Sequence, residues 1–203
     1  MSPWIGGLIG IGAAILFLVL FVLIYRKSNM FGVRKIVLLG LFLALAIALG
    51  MFESMIPDFL VPGFKLGLAN IAIVLLLFGA GWKEALLVDV LRVVLVSLLR
   101  GNFMTMGGWM SFAGMALSFL GMLLIHLLWK KASVIFVSII GALLHDVGQI
   151  FVAFIYMENG AIFYYLPFMV LVSLATGALA GIVAYTLLKR ESFTRLFRKE
   201  EAD

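Results

Sequence analysis

Residues 62–100 read PGFKLGLANIAIVLLLFGAGWKEALLVDVLRVVLVSLLR, two apolar runs with polar and charged side chains inside and beside them. A charged side chain that faces lipid near the centre of a bilayer is costly, so such residues are expected to face protein or a polar cavity. The residues concerned are Lys65, Asn70, Asp89, Arg92 and Arg100. This stretch therefore predicts a polar site inside a membrane protein.

The composition indicates an integral membrane protein. Of the 203 residues, 65% are hydrophobic and 12% are charged, and the mean hydropathy is +1.24. The apolar residues form long blocks, which predicts membrane-spanning helices in a lipid bilayer rather than the strands of a barrel. The chain has no cysteine and two histidines, so we expect no disulfide and no metal centre. The net charge of +5 lies mostly at the ends of apolar blocks, which indicates membrane topology and no nucleic-acid partner.

Seven apolar blocks are predicted to cross the membrane. The first block has no charge and is followed by Arg26 and Lys27, the reverse of the order in a signal peptide, so we expect a retained helix with its N-terminus outside. With that orientation, twelve of the fifteen Lys and Arg residues fall on the cytoplasmic side, together with the C-terminus. The blocks are residues 5–25, 36–51, 66–78, 84–99, 109–129, 134–156 and 161–188.

The second block carries small residues at intervals of four, Gly40, Ala44 and Ala48. At this spacing they form one strip along a helix, where the backbone of another helix can approach closely. The strip is explained either by packing within the protein or by docking of a partner.

Polar residues in the fourth and sixth blocks are expected at similar depths. Arg92 lies nine residues after Lys83, or roughly 13 to 14 Å along a helix, and His145 lies eleven residues after Val134, or about 16 Å. Gln149 follows His145 by one turn on the same face. Asp89 and Arg92 are three residues apart and share a helix face.

These positions predict a polar pocket that opens to the outside and takes a small anionic ligand. Asn70, Arg92, His145 and Gln149 are expected in its wall, and the basic residues Lys65 and Arg100 at its rim. The alternative is structural: Asp89 pairs with Arg92, and Asp146 pairs with a neighbour, to hold helices together.

Motifs for catalysis are absent from the sequence. It contains neither a phosphate-binding G-x-x-x-x-G-K-[ST] loop nor an aspartate-rich motif to hold magnesium on a diphosphate. We also find no nucleophile with an orienting base. We therefore expect neither an enzyme nor a cofactor.

Three stretches carry a resemblance to a known family: PGFKLGLANI at 62–71, the segment around Arg92, and HDVGQ at 145–149. Over residues 34–188 the chain resembles the Gx transporter family, the substrate-specificity (S) components of energy-coupling factor (ECF) vitamin transporters. Such proteins are also labelled component I of heptaprenyl diphosphate synthase.

The resemblance implies an all-α membrane protein, with a six-helix S-component bundle plus one extra N-terminal helix. It divides the chain into the extra helix and linker at 1–33, the substrate-binding membrane domain at 34–189 and a charged cytoplasmic tail at 190–203. It implies a bacterial plasma-membrane subunit that binds a micronutrient outside and topples to release it inside. The implied partners are a membrane coupling protein and two ATPase subunits. In such proteins the coupling protein contacts an A-x-x-x-A strip, which Ala44 and Ala48 match here and Gly40 extends.

The sequence leaves open which ligand is bound, and it leaves two alternatives to a transport function. The ligand is either an isoprenoid or quinone precursor, which the family label suggests, or a flavin-like ring with phosphate. The alternatives to transport are a membrane accessory subunit of a prenyl-diphosphate synthase and a subunit of a flavin or quinone redox assembly.

Overall fold

The computed structural model describes residues 33–55 and 67–198, which contain helices and no strand. The chain divides into two compact units, 1–38 and 39–203, and of the first unit the structure describes the helical residues 33–38. The predicted block at 5–25 lies outside the described residues, as does Lys65. The helices are α1 (Val33–Ser54), α2 (Asn70–Gly79), α3 (Trp82–Leu99), α4 (Met106–Leu128), α5 (Val134–Met157), a 3-10 helix (Gly160–Tyr165), α6 (Leu166–Leu188) and α7 (Glu191–Arg198).

Four of the described segments are long and apolar enough to cross a membrane. They are Val33–Glu53, Met106–Leu128, Val134–Met157 and Gly160–Leu188. The helix α2 has only 10 residues, and α3 carries Lys83, Glu84, Asp89 and Arg92 among its 18. The described residues thus show an all-helical membrane protein. The six-helix bundle with one extra N-terminal helix stays a prediction.

The short helix α2 is the most deeply buried element. It is apolar on every side, and from Ala72 to Leu77 all its residues are buried, as expected for a helix without a polar face. It packs against α3, α5 and α6. At 1.5 Å per residue it is about 15 Å long, half the thickness of the hydrocarbon layer. The predicted block began at residue 66, but the chain turns at Gly67, which has a φ of +77°, and the helix begins at Asn70.

Direct backbone contact joins α5 to α4 on one side and to α6 on the other. A Cβ built on Gly148 of α5 would lie 2.6 Å from the carbonyl oxygen of Ala113 in α4. A Cβ built on Gly181 of α6 would lie 2.6 Å from the Cα of Ile135 in α5. Small residues at such crossings let helix backbones approach within a membrane, where van der Waals packing drives association.

The terminal helix α7 packs against α1 and the end of α2 through two phenylalanines. The rings of Phe193 and Phe197 lie 6.1 and 6.0 Å from that of Phe42 in α1, between centroids. Phe197 also covers Gly79, where a Cβ would come within 2.7 Å of its ring. Part of the predicted charged tail is therefore a helix packed against the bundle.

We predict that alanine at Gly148 or at Gly181 destabilises the bundle, because the added methyl group meets backbone atoms that cannot rotate away. The expected cost is about 1 to 3 kcal/mol for each substitution, seen as a lower melting temperature of the purified protein in detergent.

Gly40→Ala is the matched control for these two variants. It is also a helical glycine, but no described atom lies within 4 Å of the position of its Cβ, so its melting temperature should stay level or rise slightly through better helix propensity. Equal melting temperatures for all three variants would contradict the close contacts.

Candidate functional site

A small polar cavity lies where α1, α3, α4 and α5 meet the turn before α2. Its volume is about 20 Å³, which holds one or two water molecules. The walls combine a carboxylate, a guanidinium, an imidazole and a hydroxyl with small and aliphatic residues. The lining residues are Gly50, Glu53, Gly67, Arg92, Val93, Val96, Ser111 and His145.

Arg92 reaches this cavity with its counter-ion on the same helix. Its Nη2 donates to Oδ1 of Asp89 at 2.6 Å, and both residues are buried. Their three-residue spacing places them on one face of α3. A charge-assisted hydrogen bond of this length lowers the cost of burying either charge.

His145 and Gln149 form a second polar pair, one turn apart on α5. Nε2 of Gln149 lies 3.1 Å from Nε2 of His145. With the amide in this orientation its nitrogen donates, so the imidazole nitrogen accepts. Gln149 is completely buried, and its Oε1 has no hydrogen-bond partner among the described residues. This oxygen is an available acceptor within the bundle.

Glu53 and Asn70 lie on either side of the turn that leads into α2, beside the cavity. Glu53, at the end of α1, accepts the backbone N–H of Leu68 at 2.9 Å, a favourable place for a carboxylate because helix N-termini carry partial positive charge. Asn70 is buried, and neither of its side-chain amide atoms has a hydrogen-bond partner among the described residues. Its Nδ2 lies 3.3 Å from the position of a Cβ on Gly67, which lines the cavity.

Asp146, the neighbour of His145 in sequence, belongs to a different interface. Its Oδ2 accepts a hydrogen bond from the hydroxyl of Ser173 in α6, and both residues are buried. Successive residues of a helix point about 100° apart, so His145 faces the cavity while Asp146 meets α6.

Comparison with protein families gives a match to heptaprenyl diphosphate synthase component I over residues 41–187. The chain belongs to this family. The matched range contains every residue that lines the cavity, which agrees with the resemblance found in the sequence. Neither the curated proteins nor the solved structures give a match.

The structure brings some of the predicted site residues together. Arg92 and His145 line the cavity, and Asn70 and Gln149 adjoin it through Gly67 and His145. Arg100 is partly exposed just after α3, and Lys65 lies outside the described residues. The strip of Gly40, Ala44 and Ala48 is exposed along α1. The roles of these residues in binding and docking stay predictions.

Sequence reasoning missed Glu53 and Ser111 as cavity residues. Glu53 lies just beyond the predicted block 36–51, yet it is on the last turn of α1. Ser111 donates to the carbonyl of Gly107 within its own helix, and one serine in an apolar block gives no signal. For Glu53, the only signal in the sequence was a carboxylate directly after an apolar block.

We predict that removing one member of the Asp89–Arg92 pair destabilises the protein more than removing both. Arg92→Leu or Asp89→Leu leaves a buried charge without its partner, which costs about 3 to 5 kcal/mol, whereas the double variant leaves none. Melting temperatures in detergent should therefore be lowest for the single variants and partly restored in the double variant.

The exposed pair of Arg195 and Glu191, with its atoms 3.0 Å apart, provides the control. The same substitutions there should leave the melting temperature nearly unchanged, because exposed pairs contribute little. Additive losses at Asp89 and Arg92 would show that the two side chains do not act as a pair.

Proposed function

We propose that the chain is the substrate-binding subunit of an ECF-type micronutrient importer, without catalysis of its own. It binds a small ligand from the outer face of a bacterial plasma membrane and delivers it by toppling. The observation that carries the proposal is the cavity between helices, where Glu53, Arg92 and His145 meet. Ionisable residues at membrane depth are costly and mark ligand or ion pathways.

The buried polar groups around the cavity support a binding role. Asn70 and Gln149 both keep side-chain atoms without hydrogen-bond partners among the described residues. Buried polar atoms are normally satisfied, so these are available to a ligand or to water. Hydrogen bonds between membrane helices contribute only about 0.6 kcal/mol on average, which makes a purely structural use of so many polar groups unfavourable.

The volume of the cavity requires movement before a vitamin-sized ligand can enter. Small-molecule sites typically measure about 300 to 1,000 Å³, against about 20 Å³ here. On this proposal the cavity is the closed state of the site, and its wall separates when the ligand binds. Gly50 and Glu53 of α1 form one side of that wall, which makes the end of α1 the natural moving part.

The basic residues at the predicted outer rim of the pocket indicate the charge of the ligand. Arg100 stands partly exposed at the end of α3, and Lys65 is predicted on the same side. Two basic residues there favour a ligand with an anionic group, such as a flavin-like ring with phosphate or an isoprenoid or quinone precursor.

The exposed strip on α1 supports docking of the coupling membrane protein that carries the two ATPase subunits. Gly40, Ala44 and Ala48 are all exposed, and no described atom lies within 4 Å of a Cβ on Gly40. These small residues do not serve packing among the described helices. The strip therefore leaves space for the backbone of another membrane helix.

The family description favours one second candidate, a membrane accessory subunit of heptaprenyl diphosphate synthase. Such a subunit would bind a soluble, aspartate-rich prenyl synthase and no ATPase. The partners that co-purify with the chain therefore distinguish the two functions.

We predict that the double variant Ala44→Leu with Ala48→Leu loses its partners but keeps its fold. Leucine side chains on the exposed strip block close approach of another helix, so recovery of the coupling protein and ATPases should fall roughly tenfold or more, equivalent to about 1.4 kcal/mol. The measurement is affinity purification from membranes, with the melting temperature recorded alongside.

Ala175→Leu serves as the matched control, since Ala175 is an exposed alanine on α6. It should leave recovery of the partners unchanged. Normal recovery with the double variant would argue against docking at the strip, and a prenyl synthase without ATPases in the wild-type sample would favour the second candidate.

A further inference from the structure

Asn70 carries a buried carboxamide whose donor and acceptor are both unused. It is the first residue of α2 and is 3% exposed. Neither its Nδ2 nor its Oδ1 has a hydrogen-bond partner among residues 33–55 and 67–198. Buried side-chain amides are normally hydrogen-bonded, because an unpaired donor or acceptor costs free energy. Since both atoms are unpaired, one donor group and one acceptor stay available whichever way the amide is turned.

This amide adjoins the cavity at a residue without a side chain. Gly67 lines the cavity, and Nδ2 of Asn70 lies 3.3 Å from the position that a Cβ on Gly67 would take. The backbone N–H of Asn70 also donates to the carbonyl of Gly67 at 2.9 Å, which holds Asn70 beside the cavity wall. A side chain at position 67 would crowd the amide, so glycine there keeps the amide accessible from the cavity.

Two other side chains at the cavity have unused polar atoms. Arg92 lines it and gives Nη2 to Asp89, whereas its Nε–H has no partner within the described part of the chain. Gln149 contacts the cavity residue His145 through Nε2, and its Oε1 is likewise unpartnered among the residues that the structure describes. Arg92 therefore offers a donor and Gln149 an acceptor, in addition to the donor and acceptor of Asn70.

This mixture of donors and acceptors selects among ligand chemistries. A diphosphate or a quinone carbonyl only accepts hydrogen bonds, so it would leave the amide oxygens of Asn70 and Gln149 unpaired. An ammonium group only donates, so it would leave Nδ2 of Asn70 and Nε of Arg92 unpaired. A ring amide or imide presents an N–H beside a carbonyl. A carboxamide can pair with both through two parallel hydrogen bonds, as asparagine does with the edge of adenine.

We propose that Asn70 binds a ring amide or imide of the ligand, with Arg92 and Gln149 completing its hydrogen bonds. This inference rests on the proposed function and narrows its ligand class. It selects nitrogen heterocycles with an N–H beside a carbonyl over isoprenoids and quinones, which have no N–H. An anionic group on the same molecule would lie toward the basic rim.

The test compares defined compounds on the full chain in mild detergent, with the melting temperature followed by circular dichroism. Riboflavin 5′-phosphate and uridine 5′-monophosphate each combine a ring imide with a phosphate, and their N3-methyl derivatives lack only the imide N–H. Farnesyl diphosphate and menadione represent ligands without an N–H. At least one parent imide should raise the melting temperature, its N3-methyl derivative should need about tenfold more for the same shift, and the last two compounds should give no shift.

Asn70→Leu tests the residue in the same assay. Leucine has a similar size and no polar atom, so without ligand the melting temperature should stay level or rise, because an unpaired buried amide is removed. The concentration of the parent imide that gives half of the maximal shift should nevertheless rise about tenfold or more. A merely structural role of Asn70 would not separate these two results.

Ser118→Ala is the matched control. Ser118 is also buried, and its hydroxyl has no partner in the described ranges. It lies seven residues after the cavity residue Ser111 on the same face of α4, about 10 Å further along the helix. Loss of this buried polar group away from the cavity should leave the response to the parent imide unchanged.

The outcomes separate the inference from the proposed function. A shift with farnesyl diphosphate or menadione alone overturns the ring amide and leaves the binding function intact. Equal shifts with a parent imide and its N3-methyl derivative, or an unchanged response of Asn70→Leu, also overturn the inference. No shift with any compound overturns it as well, and recovery of the coupling protein and ATPases with the wild-type chain then shows whether the transport function stands.

Discussion

Between α5 and its two neighbours the helix backbones touch, and this contact sets the orientation of α5. Gly148 lies against Ala113, and Gly181 lies against Ile135, so rotation of α5 would drive side chains into backbone on one side or the other. With the rotation fixed, His145 faces the cavity and Asp146 faces Ser173. Two polar residues that are adjacent in sequence thus serve separate interfaces.

The late start of α2, at Asn70, imposes a second requirement. Backbone N–H and C=O groups at membrane depth need partners, and irregular backbone is tolerated there only when protein or a polar cavity surrounds it. At this turn the backbone N–H of Asn70 donates to the carbonyl of Gly67, and the backbone N–H of Leu68 donates to the carboxylate of Glu53. The cavity lies beside the turn because a helix of 10 residues leaves room there.

Much of the helical pattern could be predicted from the sequence, because long apolar blocks with charged ends define membrane helices. The predicted block 134–156 corresponds to Val134–Met157, and 84–99 corresponds to Trp82–Leu99. Block 161–188 begins instead with a 3-10 turn, and α6 starts at Leu166, next to Pro167, a residue favoured in the first turn of a helix. The common depth of Arg92 and His145 followed from helix rise alone, and both line one cavity. The partner of Asp146 depends on how α5 is rotated about its own axis, and the hydropathy of the sequence does not predict that rotation.

Three phenyl rings hold α1 near its middle, at Phe42, while Glu53 near its end accepts the backbone N–H of Leu68. Phe42 contacts Phe193 and Phe197, whereas Glu53 stands eleven residues further along the same helix, at the cavity. Glu53 lies about 16 Å along the helix from Phe42, so a tilt of α1 by roughly 10° about the aromatic contact would displace Glu53 by about 3 Å. A displacement of that size would break the hydrogen bond to Leu68 and open the cavity wall on the side of α1.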